Sequence, residues 1–231
     1  MKLNILCLYY DIMNLYGDTG NLKVLKYHLE ELNIPYQIDK LTLEDKLNFS
    51  KYDLILIGAG TEENRSLALK HLKKYQKSLK TAIEKGKFFL ITGNALPMFG
   101  KKLYNEEALN IFDFSTKETK ERISKEVIIN NDIGHPIYGF VNNQDDISNH
   151  QNYLFENEGI KYKNFYGTQV IGPILSRNPD FLKYFLKELL QNTKYQDKID
   201  KIDNLNTTLN DKAYQEFIEF KKTKKFNANW A

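Results

Sequence analysis

The chain has 231 residues, 42% hydrophobic and 13% aromatic, enough for a large packed core, and this composition excludes a disordered chain. Its 33 Lys and Arg against 30 Asp and Glu leave a net charge of +3, interleaved along the chain, which argues against a nucleic-acid partner. The apolar run from Leu3 to Leu8 is broken by Asn4 and too short for a signal or a bilayer span, so a cytoplasmic protein without membrane insertion is expected; the single cysteine, Cys7, excludes an internal disulfide, a Cys-rich zinc site and an iron–sulfur cluster.

Near-continuous apolar runs at Leu3–Tyr9, Tyr36–Leu41, Leu54–Ile57 and Phe88–Ile91 predict strands of a parallel sheet buried on both faces. Between them, Leu22, Leu25, Leu29 and Leu32, and then Leu69, Leu72, Leu79 and Ile83, step at helical spacing and predict crossover helices, closed by Pro35 and Gly86. Beyond Gly100 the runs Val127–Asn130, Ile137–Asn142, Ile160–Tyr162 and Phe165–Ile171 predict shorter strands in an antiparallel or mixed arrangement. A helix from Asn178 to Leu190 follows Pro179, a polar linker or loose helix runs from Gln191 to Asn210, and Asp211 to Lys222 closes the chain as an amphipathic helix.

Chemistry in an open α/β sheet sits at the carboxyl ends of the strands, so three loops matter most. The first, Tyr10 to Asn21, fits neither nucleotide-binding glycine motif, and Asn21 is placed to cap the next helix. The second, Gly58-Ala59-Gly60-Thr61-Glu62-Glu63-Asn64-Arg65, lets backbone N–H groups approach an anion at a helix start. The third, Thr92-Gly93-Asn94-Ala95 after an apolar strand, has the shape of a nucleophile elbow whose apex is Gly93. Thr92 carries a hydroxyl but has no base nearby in sequence, and strand alternation points it away from the apex side chain. The four histidines, His28, His71, His135 and His150, read as solvated surface.

The run Tyr10-Asp11-Ile12-Met13-Asn14-Leu15-Tyr16-Gly17-Asp18-Thr19-Gly20-Asn21 resembles the Y-P-D-L-M-N-x-Y-G-D-x-G-N opening of GatD-type, CobB/CobQ-like class I glutamine amidotransferases, glutaminase subunits of lipid II isoglutaminyl synthase. Gly58 to Arg65 is similar to that family's G-G-G-x-D-R-E-Q loop, Gly167 to Pro179 to its G-T-Y-L-H-G-P-L-L-P-K-N-P segment, and Gly139 to Asn142 to G-F-E-N. These blocks reach from the start to about Leu190. The resemblance implies a three-layer, flavodoxin-like α/β fold over residues 1–190, with 191–231 as a polar linker and C-terminal helical extension. It also implies a Mur-ligase-like MurT-type partner in peptidoglycan precursor amidation, no cofactor and no metal.

The resemblance also puts the family's nucleophilic cysteine at Gly93, the elbow glycine at Ala95, the elbow glutamine at Pro97 and the catalytic histidine at Ile171. No catalytic residue is therefore expected. The substrate-binding candidates are Arg122, where the family has a substrate-binding arginine, with Gly58, Gly60, Thr92, Asn94 and Asn142, for glutamine or another small carboxylate. Three functions compete: a non-hydrolysing subunit that braces a ligase, an amidotransferase with rearranged chemistry on Thr92 or a carboxylate (cell-wall or cobyric-acid type), and a small-carboxylate binding module.

Overall fold

The computed structural model describes residues 2–148, 152–191 and 193–226. Within them a six-stranded sheet has the order β2-β1-β3-β4-β10-β9, formed by β1 (Leu3–Leu8), β2 (Tyr36–Leu41), β3 (Leu54–Ile57), β4 (Phe88–Thr92), β9 (Ile160–Tyr162) and β10 (Phe165–Thr168). All neighbours pair in parallel except β9 with β10.

The two-residue period of a strand divides the core between the faces of this sheet. Leu3, Ile5, Cys7, Leu54, Leu56, Phe88 and Leu90 enter one apolar cluster, and Leu6, Leu8, Ile55, Ile57, Phe89 and Ile91 the other. Helices α1 (Thr19–Glu31), α4 (Ile174–Arg177) and α5 (Pro179–Gln191) cover the first face through Leu22, Leu25, Leu175, Phe181 and Phe185. Helices α2 (Glu62–Lys73) and α3 (Gln76–Glu84) cover the second through Leu69, Leu72, Leu79 and Ile83. The result is a mixed α/β fold of three layers, consistent with the class I amidotransferase expectation.

A second, four-stranded sheet has the order β6-β5-β7-β8. Its short members are β5 (Lys102–Leu103) and β6 (Glu106–Glu107), and its long hairpin is β7 (Ser115–Ile129) with β8 (Ile137–Ser148). The expected strand at Val127–Asn130 is only the end of β7, whose Lys117 to Glu126 are almost all exposed and so carry no apolar pattern. Extra residues between Glu118 and Ile123 form a bulge facing Asn143 to Asp145. Phe140 bridges Ile171, and the Ile171 N–H donates to the Phe140 carbonyl at 2.9 Å, so β8 lies across the carboxyl end of the main sheet.

Three further elements depart from the sequence reading. The helix expected through Leu69 to Ile83 is broken at Lys74 and Tyr75 into α2 and α3, with no Gly or Pro to signal it. The strand expected to Ile171 ends at Thr168, and Ile171 pairs with the hairpin instead. Of the two alternatives for Gln191 to Asn210 a helix forms, but it is packed and not loose: the 3-10 helix at Gln196–Asn204 buries Ile202 completely, and Tyr195 and Leu205 join the α5 core cluster. Helix α6 (Thr208–Phe226) then stacks Phe217 on Tyr138 of β8, and the Tyr214 hydroxyl donates to the Pro136 carbonyl at 2.7 Å.

Candidate functional site

Strand β4 ends in the expected sharp turn. Gly93 has φ +60°, a backbone conformation that glycine adopts without steric cost, and its N–H donates to the Val170 carbonyl at 3.1 Å. The helix after it is a 3-10 helix, Gly93–Phe99, every residue of which is buried, with Pro97 inside it. A Cβ at position 93 would lie 2.6 Å from the Ala59 Cβ and 2.7 Å from the Ile171 Cγ2. Ile171, itself buried, thus packs directly against the apex glycine, and the space beside the apex is filled with hydrocarbon.

The loop after β3 is held from both sides. A Cβ on Gly58 would collide with Asp18 and with the Met13 carbonyl, and one on Gly60 would fall 2.7 Å from the Ile12 carbonyl, so backbone packs on backbone here. Asn94 grips Gly60 twice: its Oδ1 accepts from the Gly60 N–H at 3.0 Å and its Nδ2 donates to the Gly60 carbonyl at 2.8 Å. The Gly60 amide is therefore engaged within the protein instead of facing an anion as a free donor. Thr61 caps α2, its Oγ1 accepting from the Asn64 N–H at 3.1 Å.

Asp18 is the residue that sequence reasoning missed. It is 6% exposed, and its Oδ1 accepts from the Thr92 Oγ1 at 2.6 Å, while Oδ2 finds no hydrogen-bond partner of normal geometry among the described residues. Burial raises its pKa, partly offset by the Thr92 hydroxyl and the Ala59 and Gly172 amides. A carboxylate thus does stand beside Thr92, contrary to the sequence expectation, because the loop after β1 folds back over β4. Both groups, with Cys7, line a cavity of only about 10 Å³, and Thr92 is 2% exposed. Asn21 does not cap α1: it is buried, its Nδ2 donating to the Gly172 carbonyl at 3.3 Å and its Oδ1 accepting from the Leu175 N–H at 2.9 Å.

Arg122 projects from the β7 bulge, as bulges commonly re-aim a side chain. Its Nη2 donates to Glu62 at 2.5 Å and its Nη1 to the Asn142 Oδ1 at 3.2 Å, and Asn142 in turn donates to the Tyr16 hydroxyl at 2.9 Å. Arg122 therefore pairs across to α2 and not with Glu118, Glu121 or Glu126. Burial, the largest single influence, would raise the Glu62 pKa, but the Arg122 hydrogen bond, its own backbone N–H and the charges of Arg122 and Arg65 together hold the carboxyl below its ordinary range. Deeper, Arg65 Nη1 donates to both Asp145 oxygens, at 2.9 and 2.7 Å, and the Tyr104 hydroxyl donates to Asp145 at 2.6 Å. Arg65 and Asp145 are 2% and 4% exposed, so this pair fastens β8 to α2 in the interior.

Two histidines expected on the surface are buried. His28 contacts Glu31 through Nδ1 at 3.0 Å, and the Nδ1 of His71 hydrogen-bonds the Tyr9 hydroxyl at 2.9 Å. His135 is exposed and 2.7 Å from Asp180, and His150 lies outside the described residues. None of the three described histidines hydrogen-bonds to the elbow. Among the described residues, no group of three or more His, Cys, Asp or Glu could hold a metal ion, and no helix is long and apolar enough to cross a membrane.

The turn carrying Ile171 is braced by Glu158, whose carboxyl accepts from the Thr168 Oγ1 at 2.8 Å and the Gln169 N–H at 2.6 Å. Burial pushes its pKa up to about 7, above the unfolded value of 4.5. The folded state therefore disfavours the charged form, and stability present below pH 4.5 is lost as pH rises through 7. Glu158→Gln is expected to flatten this decline and to be more stable than wild type at pH 8 by about 1–3 kcal/mol. Urea denaturation between pH 4.5 and 8 checks it; parallel curves for the two proteins would refute the assignment.

The sharp β4 turn, the glycine loop after β3 and the β10 turn meet at the carboxyl edge of the sheet. The chain matches the CobB/CobQ-like glutamine amidotransferase domain over residues 4–179 and belongs to that family. Within it the chain is similar to GatD, a subunit of the glutamine-hydrolysing lipid II isoglutaminyl synthase. It is 29% identical to the Staphylococcus aureus (strain N315) protein over 84% of this chain and 87% of that one. It is 31% identical to the Streptococcus pneumoniae (strain ATCC BAA-255 / R6) protein over 84% and 82%.

Proposed function

We propose that this chain is a GatD-like subunit that no longer hydrolyses glutamine and acts in the cytoplasm beside a MurT-type, Mur-ligase-like protein in lipid II amidation. The observation that carries the reading is the filled apex: Gly93 and Ile171 stand in contact where the resemblance puts nucleophile and base. Thiol-dependent hydrolysis needs a thiolate, a proton acceptor and amide donors for the oxyanion. Gly93 has no side chain, Ile171 takes no proton, and the Gly60 N–H already serves Asn94. The remaining thiol, Cys7, sits in β1 with its pKa pushed up by burial to about 11. Residues 1–190 are the amidotransferase-like domain in this reading, and 191–231 its extension.

The purified chain, alone and with a co-expressed Mur-ligase-like protein, is expected to release no ammonia from glutamine and to take up no thiol-directed glutamine analogue, while co-purifying with the ligase. Failure to co-purify would remove the partner from the reading. Ammonia release that Thr92→Ala abolishes would favour rearranged chemistry, the second reading, which the Asp18 to Thr92 hydrogen bond supports and the burial of Thr92 opposes.

The cleft keeps a carboxylate-binding role in this proposal, with Arg122 and Asn142 at its mouth and Gly58, Gly60, Thr92 and Asn94 shaping its wall. A ligand carboxylate would exchange with Glu62 on the Arg122 guanidinium. Arg122→Ala is expected to weaken glutamine or glutamate binding by about 1.5–3 kcal/mol, while costing only ~0–1 kcal/mol of stability because the Glu62 pair is exposed. Calorimetric titration of both proteins decides it: no heat with either ligand would leave only the partner-facing surface.

A further inference from the structure

At the edge of the main sheet farthest from β2 lies a cavity of about 570 Å³, bounded by the β7–β8 turn, the segment before β9, β9 itself and α5. That volume is in the range of small-ligand sites, about 300–1,000 Å³. Phe155, 3% exposed and edge-on to Phe181 at 5.2 Å, gives it an apolar floor beside the Tyr184 ring.

Among the described residues, the charged groups around this floor form no ion pair. The Lys161 ammonium lies 3.9 Å from the centre of the Tyr166 ring and donates to the Lys163 carbonyl, with no carboxylate in ion-pair range among the described residues. Its half-burial lowers its pKa, and the charge of Glu188, outside ion-pair range, offsets this only in part. Asp132 and Glu156 line the same cavity and pair with no cation among the described residues; the Glu156 Oε2 accepts from Asn130 at 2.8 Å, which leaves Oε1 open. Charges of both signs without an ion-pair contact among the described residues, set over an aromatic floor, match a ligand that carries an ammonium and a carboxylate on an apolar body.

We propose that this cavity binds a zwitterionic amino acid or short peptide, its carboxylate on Lys161, its ammonium on Asp132 and Glu156, and its side chain over Phe155 and Tyr184. The site is separate from the elbow and does not depend on the reading given to it.

Calorimetric titration of the full chain with leucine, Leu-Leu, N-acetyl-Leu-Leu and Leu-Leu amide tests the assignment. Leucine, Leu-Leu or both are expected to bind saturably, and the stronger of the two identifies a free amino acid or a peptide as the source. The acetylated and amidated peptides are expected to bind at least tenfold more weakly than Leu-Leu if the peptide is the ligand, or not at all if the amino acid is. Lys161→Met should erase the discrimination against a blocked carboxylate, and Asp132→Asn with Glu156→Gln the discrimination against a blocked amine. Absence of binding by all four probes at millimolar concentration would overturn the proposal, as would blocked peptides that bind as well as Leu-Leu. If Lys161→Met fails to fold, the blocked probes on the wild-type chain still decide.

Discussion

Gly93→Cys is expected to lower stability by roughly 2–4 kcal/mol and to yield no glutamine hydrolysis. The new Cβ would meet Ala59 at 2.6 Å and Ile171 at 2.7 Å, distances that real Cβ atoms do not show, in a turn where φ is +60°. Close-packed interiors relax only partly around added atoms, so the clash and the strained backbone add. Among the described residues no imidazole hydrogen-bonds to this turn to lower the thiol pKa, and the neighbouring side chain is that of Ile171. Gly93→Ala is the control: it carries the same Cβ without sulfur and should lose a similar amount in thermal denaturation. Unchanged melting of both variants would refute the packing described at the apex, and ammonia release by Gly93→Cys would refute the proposed loss of hydrolysis.

Arg65→Ala should cost about 3–5 kcal/mol, because it strands a buried carboxylate. Of its described hydrogen-bond partners, the Asp145 carboxylate would keep only the Tyr104 hydroxyl, at 4% exposure. Asp145 is desolvated together with its partner, and in wild type its charge, with the Tyr104 hydrogen bond, outweighs the burial that would lower the Arg65 pKa. Replacing both partners by hydrocarbon, Arg65→Met with Asp145→Leu, should recover most of the loss, since no charge is then left in the interior. Denaturant unfolding of the three variants measures this. A loss below about 1 kcal/mol for Arg65→Ala would mean that solvent reaches the pair, as at a surface ion pair.

The central strands and their loops were legible because strands buried on both faces must be apolar throughout, and because a sharp turn at φ +60° favours a glycine. Leu54–Ile57 and Phe88–Thr92 fall where the apolar runs put them, and the elbow at Gly93 follows the second. The same logic failed for β7. Its strand is made by backbone pairing with β8 while its side chains face water, so Lys117 to Glu126 could be polar without disturbing it. The buried histidines His28 and His71 were misread because each sits on a helix with polar neighbours in sequence; His28 is met by Glu31 one turn along that helix, and His71 by the distant Tyr9.

What the sequence determined by itself is the alternating α/β order, the single unusable thiol at Cys7 and the identity of the apex residue, since each depends on local pattern or on composition alone. Tertiary structure decided that Ile171 fills the space beside Gly93, that Asp18 reaches Thr92 across 74 positions, and that Arg65 meets Asp145 across 80. Hydrogen bonds and ion pairs between distant loops leave no periodicity in a chain. Their partners are selected by where strand ends and a hairpin converge, and that convergence exists only after the sheet has formed.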